Sequence, residues 1–187
     1  MEIVLASASP RRREILARIL PAFSVIPSTC PETADLSQPP ARIVEQLARQ
    51  KAEDVYRSHT AALVLGADTV VWAGGRLLGK PKDAEDAARM LRSLSGRAHE
   101  VYTGYCLRGP GIDACGSART EVVFNDLSEE FIAAYVATGS PLDKAGAYGI
   151  QDDARLVRAV HGSYTNVVGL PEEVIRDQLI ACGVPVL

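Results

Sequence analysis

The sequence predicts an α/β fold, a mixed β-sheet with flanking helices. Apolar runs of strand length alternate with segments of helical periodicity along most of the chain. Two long strand-like segments, 99–108 and 117–124, break that alternation. They are joined through Gly109-Pro-Gly111 and read as an inserted antiparallel ribbon. The 187 residues suffice for a full core, so a single domain over 1–187 is expected.

The chain opens on a short apolar run, 2–6, that reads as a buried strand. Ser9 suits a helix N-cap, and Pro10 suits the first helical position, where its missing N–H costs nothing. Ile15, Leu16 and Ile19 continue at helical spacing. A strand, tight turn and helix in this order gather backbone N–H groups and the positive dipole end at the turn, which stabilises an anion. Ser7, Ser9, Arg11 and Arg12 add hydroxyl and guanidinium donors there. Arginine grips phosphate bidentately and keeps its charge. Successive helical residues point ~100° apart, so one of Arg11, Arg12 and Arg13 is expected on the surface.

Residues 23–26 read as a second short strand. Residues 27–40 are polar and proline-rich, carry Glu32 and Asp35, and are long enough for a functional loop. A helix is expected over 40–57, with Ile43, Leu47 and Val55 on its apolar side and Lys51 within it. The continuous apolar run 61–66 suggests a strand covered on both faces. It is expected to end at Gly66-Ala-Asp-Thr69, with strand character resuming over 70–72. An Asp there is costly unless it is paired, capping or holding a metal. Gly74-Gly75 marks a hairpin that returns through Arg76-Leu-Leu-Gly-Lys-Pro81, where Pro81 favours extended backbone at Lys80.

Asp83 caps the next helix and Gly96 stops it. After the ribbon, Ser128 caps a helix reaching about Thr138. Residues 141–151 and 162–171 are expected as loops flanking a strand over 156–160. The last helix starts at Pro171, carries Glu172 and Glu173 in its first turn, and ends at Gly183.

Composition narrows the function classes. The net charge is -3 and residues 11–13 form the only dense basic run, so nucleic acid is not the expected partner. No apolar run approaches a membrane span. Glu2 and the arginines stand where the apolar region of a signal peptide would be, so a cytoplasmic setting is expected. The four cysteines, Cys30, Cys106, Cys115 and Cys182, lack zinc-site spacing. Cys106 and Cys115 can face each other across the ribbon, but the expected setting keeps thiols reduced.

Polar groups gather at strand ends and in loops: the cations Arg11, Arg12, Lys51 and Lys80, the carboxylates Glu32 and Asp68, and Thr69, Gln151 and Asn166 as ligand-recognition candidates. Cations without an aromatic cluster suggest phosphates. Carboxylates among them suggest a divalent metal, because a carboxylate would otherwise repel phosphate. Mg²⁺ is usually held by one or two carboxylates plus substrate oxygens. The residues alone therefore point to metal-dependent phosphate-ester or anhydride chemistry.

The sequence resembles the Maf family of nucleotide pyrophosphatases over nearly its whole length. The resemblance rests on Ser7-Ala-Ser-Pro-Arg-Arg12, Gly66-Ala-Asp-Thr69, Gly79-Lys-Pro81, Leu94-Ser-Gly-Arg97, Val101-Tyr-Thr-Gly104, Leu142-Asp-Lys-Ala-Gly-Ala-Tyr-Gly-Ile-Gln151 and Gly162-Ser-Tyr-Thr-Asn-Val-Val-Gly-Leu-Pro171. It implies an elongated α/β fold similar to the inosine triphosphate pyrophosphatases, with the site in a cleft between two lobes. It implies a house-cleaning enzyme that cleaves a nucleoside triphosphate to the monophosphate and pyrophosphate, with a divalent metal, Mg²⁺ or Mn²⁺. By the family pattern Asp68 is the proton acceptor and Glu32 a metal ligand or alternative base, with both carboxylates at the metal. Arg12, Lys51 and Lys80 hold the phosphates, and Ser7 and Ser9 complete the anion pocket.

Arg11, Thr69 and Gln151 resemble the members acting on dTTP and UTP rather than the 7-methyl-GTP branch. Asp152-Asp-Ala-Arg155 departs from the family's usual glycines beside the base pocket. The competing readings are a non-catalytic nucleotide-binding regulator of cell division, and a pyrophosphatase acting on 7-methyl-GTP or ITP. A homodimer is the base-rate expectation.

Overall fold

The computed structural model describes residues 1–187. Its sheet begins at β1 (Ile3–Leu5), which is buried throughout and has parallel partners on both edges, β2 (Ser24–Val25) and β3 (Leu63–Ala73). On the far side of β3 the sheet turns antiparallel through β5 (Ala98–Gly109), β6 (Ile112–Phe124) and β7 (Val157–His161). The order is β2-β1-β3-β5-β6-β7, with β4 (Arg76–Leu78) pairing β3 as a hairpin. This is the mixed sheet that the alternation and the ribbon predict.

The helices begin where the capping residues stand. Ser9 accepts from the Arg12 N–H and opens α1 (Pro10–Ala17), Asp83 opens α3 (Ala84–Leu94), and Ser128 opens α4 (Glu129–Ala137). α2 (Pro40–Tyr56) covers one face of the sheet, and α6 (Glu172–Ala181) ends the chain's secondary structure. No helix is long and apolar enough to cross a membrane.

Three expectations change. β3 is one unbroken strand, with Asp68 and Thr69 in its interior rather than past its end. Its ladder to β5 runs continuously from Val64 to Trp72, and backbone pairing tolerates the polar Asp68 and Thr69 that interrupt the apolar run. Within 162–171, expected as loop, residues 164–168 form a short helix, α5 (Tyr164–Val168), capped by Ser163. The expected loop 141–151 contains two short 3₁₀ turns.

The apolar core divides where a cleft can form. On the face away from α2, Leu65, Ala67, Tyr105 and Leu107 pack with α1 and α6 residues, Ile15, Leu16, Ile175 and Leu179. Further along the same two strands, Val71 and Val101 join a second cluster with Met90, Leu91, Phe124 and Ile132. Thr69 and Thr103, paired in the β3–β5 register, lie between these two apolar cores. The polar pair thus marks the gap between two lobes.

The ribbon register sets Cys106 opposite Cys115, and the two are joined in a disulfide. This corrects the expectation of reduced thiols for that pair; Cys30 and Cys182 are free.

His99, 3% exposed, is enclosed by edge-on contacts with Phe124 and Tyr148. Its Nε2 meets the Tyr148 hydroxyl at 2.7 Å, and burial pushes its pKa down to about 4. The folded state therefore prefers the neutral ring. As pH falls below the ordinary histidine pKa, the unfolded chain takes up the proton first, and stability is lost progressively towards the folded pKa. We expect the wild type to lose about 2 kcal/mol more than His99→Gln between pH 7 and pH 5, measured by urea unfolding. Equal losses in the two proteins would show that His99 does not contribute.

Candidate active site

β3 has two different neighbours along one edge. β1 pairs with its start, residues 63–65, and β4 pairs with its end, residues 71–73. Between them, residues 66–70 keep only β5, on the opposite edge. The chain leaving the carboxyl end of β1 turns away at this fork into α1. Carboxyl ends of parallel strands that diverge in this way leave a crevice for a ligand.

On the α2 side, glycines let the helix sit close. A Cβ on Gly66 would lie 2.2 Å from the Ala48 carbonyl oxygen, and one on Gly104 would lie 2.2 Å from that of Val44. Side chains alternate along a strand, so Asp68 shares the Gly66 face and points at α2. There Lys51 Nζ donates to Asp68 Oδ1 at 2.5 Å and pairs with Glu32 Oε1 at 2.9 Å. Lys51 and Asp68 are mostly covered, at 13% and 12% side-chain exposure, whereas Glu32 is 57% exposed. One cation therefore holds two carboxylates from distant parts of the chain.

On the opposite face the guanidinium of Arg12 is fixed by three donations, Nε to the Gly169 carbonyl at 2.8 Å, Nη1 to Ser7 Oγ at 3.3 Å and Nη2 to Thr69 Oγ1 at 3.0 Å. Of the five guanidinium N–H groups, about two remain free for a ligand. Thr69 Oγ1 is also 2.9 Å from Thr103 Oγ1, which donates to the Asn166 carbonyl at 3.0 Å. Burial lowers the Arg12 pKa and the Asp68 charge opposes that shift, yet an arginine in a protein stays charged.

A cavity of about 670 Å³ joins the two faces. Ser7, Ser9, Arg11, Arg12, Glu32, Lys51, Asp68, Thr69, Lys80 and Gln151 all line it. Lys80 and Gln151 are exposed within that lining, and Arg13 is the arginine left at the surface. Three of the expected site residues have partners within the protein. Lys51 is engaged with Glu32 and Asp68. The Thr69 hydroxyl accepts from Arg12 and meets Thr103, while the residue still lines the cavity. Asn166 is buried, donating from Nδ2 to the Val101 carbonyl at 3.2 Å and Thr120 Oγ1 at 2.9 Å, and so holds α5 against the sheet.

A profile of the Maf-like proteins matches residues 2–182. The chain belongs to this family. A dTTP/UTP pyrophosphatase of Thermococcus kodakarensis is 53% identical, the match covering 92% of this chain and 93% of that protein. A dTTP/UTP pyrophosphatase of Moorella thermoacetica is also 53% identical, covering 99% and 97%. Among solved structures, the Ham1 protein of Staphylococcus aureus aligns over 97% of this chain and 99% of its own, with a TM-score of 0.57 at 15% identity. That likeness concerns the fold, a mixed sheet with flanking helices.

In this Maf-like protein the cleft has further members to which the sequence motifs assigned no role. Asp143, Lys144 and Tyr148 also line it. Lys144, 9% exposed, donates to the Ser140 carbonyl at 2.6 Å and to Asp143 Oδ1 at 3.0 Å. Arg11 Nη1 approaches Asp143 at 3.8 Å, so the segment before Gln151 is tied to α1. Asp152, in the departing Asp152-Asp-Ala-Arg155 stretch, accepts from the Tyr135 and Ser140 hydroxyls at 2.7 Å each. A lysine inside a Gly- and Ala-rich run was the available signal, since lysine is almost never buried unless paired.

Proposed function

We propose that this Maf-like protein hydrolyses dTTP and UTP between the α- and β-phosphates, giving the monophosphate and pyrophosphate. The supporting observation is the convergence of Arg11, Arg12, Lys51 and Lys80 with Glu32 and Asp68 on one cavity, in a chain about half identical to relatives bearing that name. Asp68 takes the proton of a water attacking the α-phosphorus. Arg12, preorganised by Ser7, Thr69 and Gly169, offers its remaining N–H groups to phosphate oxygens, with Lys80 and Arg11 adding charge. Lys51 exchanges its carboxylate partners for phosphate. Ser7 and Ser9 line the same wall. Little covalent chemistry falls to the protein in phosphoryl transfer, so positioning and charge neutralisation carry most of the rate.

Glu32 and Asp68 fit a divalent cation, Mg²⁺ or Mn²⁺. They are hard oxygen donors that already converge on one positive charge, Lys51 Nζ. Bound there, the cation supplies charge neutralisation to the phosphate oxygens.

Pyrophosphate release from each common nucleoside triphosphate, 7-methyl-GTP and ITP tests the proposal, with Mg²⁺, Mn²⁺ or EDTA. Release from dTTP and UTP that EDTA abolishes is the expected result. Release only from a purine substrate would replace the substrate, and binding without release would favour a regulator. For base choice, a glutamine amide offers a donor and an acceptor to the O4/N3–H edge of thymine or uracil. Gln151→Ala is expected to reduce the preference for dTTP over dCTP about tenfold, the loss of roughly one hydrogen bond. An unchanged ratio of kcat/KM values would remove Gln151 from that role.

A further inference from the structure

Glu32 belongs to a stretch, 26–39, with no helix or strand of its own. Its carboxylate nevertheless sits 2.9 Å from Lys51 Nζ. Two other α2 side chains explain how an irregular segment reaches a defined place. Asp54 Oδ2 accepts from Ser28 Oγ at 2.9 Å, from the Thr29 N–H at 2.9 Å and from the Cys30 N–H at 3.1 Å. Gln50 grips the other side of Glu32. Its Nε2 donates to the Thr33 carbonyl at 2.5 Å, and its Oε1 accepts from the Thr33 N–H at 3.2 Å. The amide thus pairs with one residue's backbone as a neighbouring strand would.

Gln50 and Asp54 are four residues apart, so they project from the same side of α2 and flank Lys51. In sequence order, the two grips on the segment fall at 28–30 and at 33, on either side of Glu32. Neither residue lines the cavity, so neither has a direct use in binding substrate.

We infer that Asp54 and Gln50 are positioning residues for Glu32, clamping residues 28–33 onto α2 so that the carboxylate is delivered beside Lys51 and Asp68. The inference rests on the assignment of Glu32 to the catalytic site proposed above. An outer partner that orients a ligand is worth roughly 10- to 100-fold in metal affinity or activity.

The test is a pair of mutant cycles, Asp54→Ala with Glu32→Gln and Gln50→Ala with Glu32→Gln. Three measurements are made: kcat and KM for dTTP with Mg²⁺, Mn²⁺ affinity by electron paramagnetic resonance in the presence of an α,β-imido analogue of dTTP, and hydrogen exchange at Thr29 and Cys30. Asp54→Ala is expected to lower kcat and weaken Mn²⁺ binding by about 10- to 100-fold, with KM changing less than threefold. The Thr29 and Cys30 amides should exchange faster. Asp54→Asn should recover part of the loss, because its amide oxygen can accept the same N–H groups. In the Glu32→Gln background, Asp54→Ala should add nothing.

Wild-type kcat and Mn²⁺ affinity in Asp54→Ala, or losses that add fully to those of Glu32→Gln, would overturn the inference. If Asp54→Ala does not fold, the Gln50→Ala cycle carries the same kinetic and Mn²⁺ criteria, with exchange read at the Thr33 amide. Wild-type behaviour of Glu32→Gln itself would overturn the assignment of Glu32, and the inference with it, a pattern distinct from failure of the clamp alone.

Discussion

Asp68→Asn is expected to lower kcat for dTTP at least about 10²-fold while leaving the protein folded, the scale of losing a general base. The substitution is nearly isosteric. Its amide oxygen can still accept from Lys51, whose Nζ lies 2.5 Å from Asp68 Oδ1. What it lacks is the capacity to take a proton and to bring a negative charge to the site. The chain around it, with Gly66 against α2 and β5 along one edge, has no reason to move. Turnover measured beside a thermal melt separates chemistry from folding. Near-normal kcat in a folded variant would remove Asp68 from the role.

Lys51→Met should act in opposite directions on turnover and on metal binding. In the structure Lys51 neutralises Glu32 and Asp68 together. A cation about 4 Å from a carboxylate at an effective dielectric of 20 interacts by about 4 kcal/mol, so its removal leaves strong uncompensated negative charge. Mn²⁺ binding without nucleotide should therefore tighten, by about tenfold if one third of that energy is realised. Turnover of dTTP should fall about 10²-fold because a phosphate-binding charge is lost. Losing hydrogen bonds to charged groups should also cost about 2 kcal/mol of stability without metal. Titration with Mn²⁺ followed by calorimetry, alongside steady-state rates, reads both directions. Weaker Mn²⁺ binding in Lys51→Met would mean that the lysine supports the metal site and does not compete for it.

Much of the fold was legible because local signals agreed with it. Ser9-Pro10, Asp83 and Ser128 each stand where a helix starts, and their side chains make the capping bonds their types predict. β3 was less legible. Gly66, Asp68 and Thr69 interrupt the apolar pattern, while the ladder that makes the segment a strand is backbone and leaves no mark in side-chain type. The short α5 contains Thr165, Val167 and Val168, poor helix formers, and stands through the Ser163 cap and the buried Asn166.

The candidate site divides in the same way. Residue chemistry alone reached phosphates and a metal from Arg11, Arg12, Lys51, Lys80, Glu32 and Asp68; the substrate class came from family motifs. Which charges touch was not readable. Lys51 and Asp68 are 17 residues apart in the chain, and their contact depends on how α2 crosses β3. Thr69 reads as a ligand contact, and no local pattern shows that its hydroxyl also meets Arg12 and Thr103. Gln50 and Asp54 look like ordinary polar residues of a helix surface until the segment 28–33 is seen lying on them.

Hydrolysis of dTTP in H₂¹⁸O with Mg²⁺, read by mass spectrometry of both products, shows directly which phosphorus the water attacks. Attack of water on the α-phosphorus predicts ¹⁸O in thymidine monophosphate and unlabelled pyrophosphate. Label in the pyrophosphate, or thymidine diphosphate and inorganic phosphate as products, would rule out attack on the α-phosphorus.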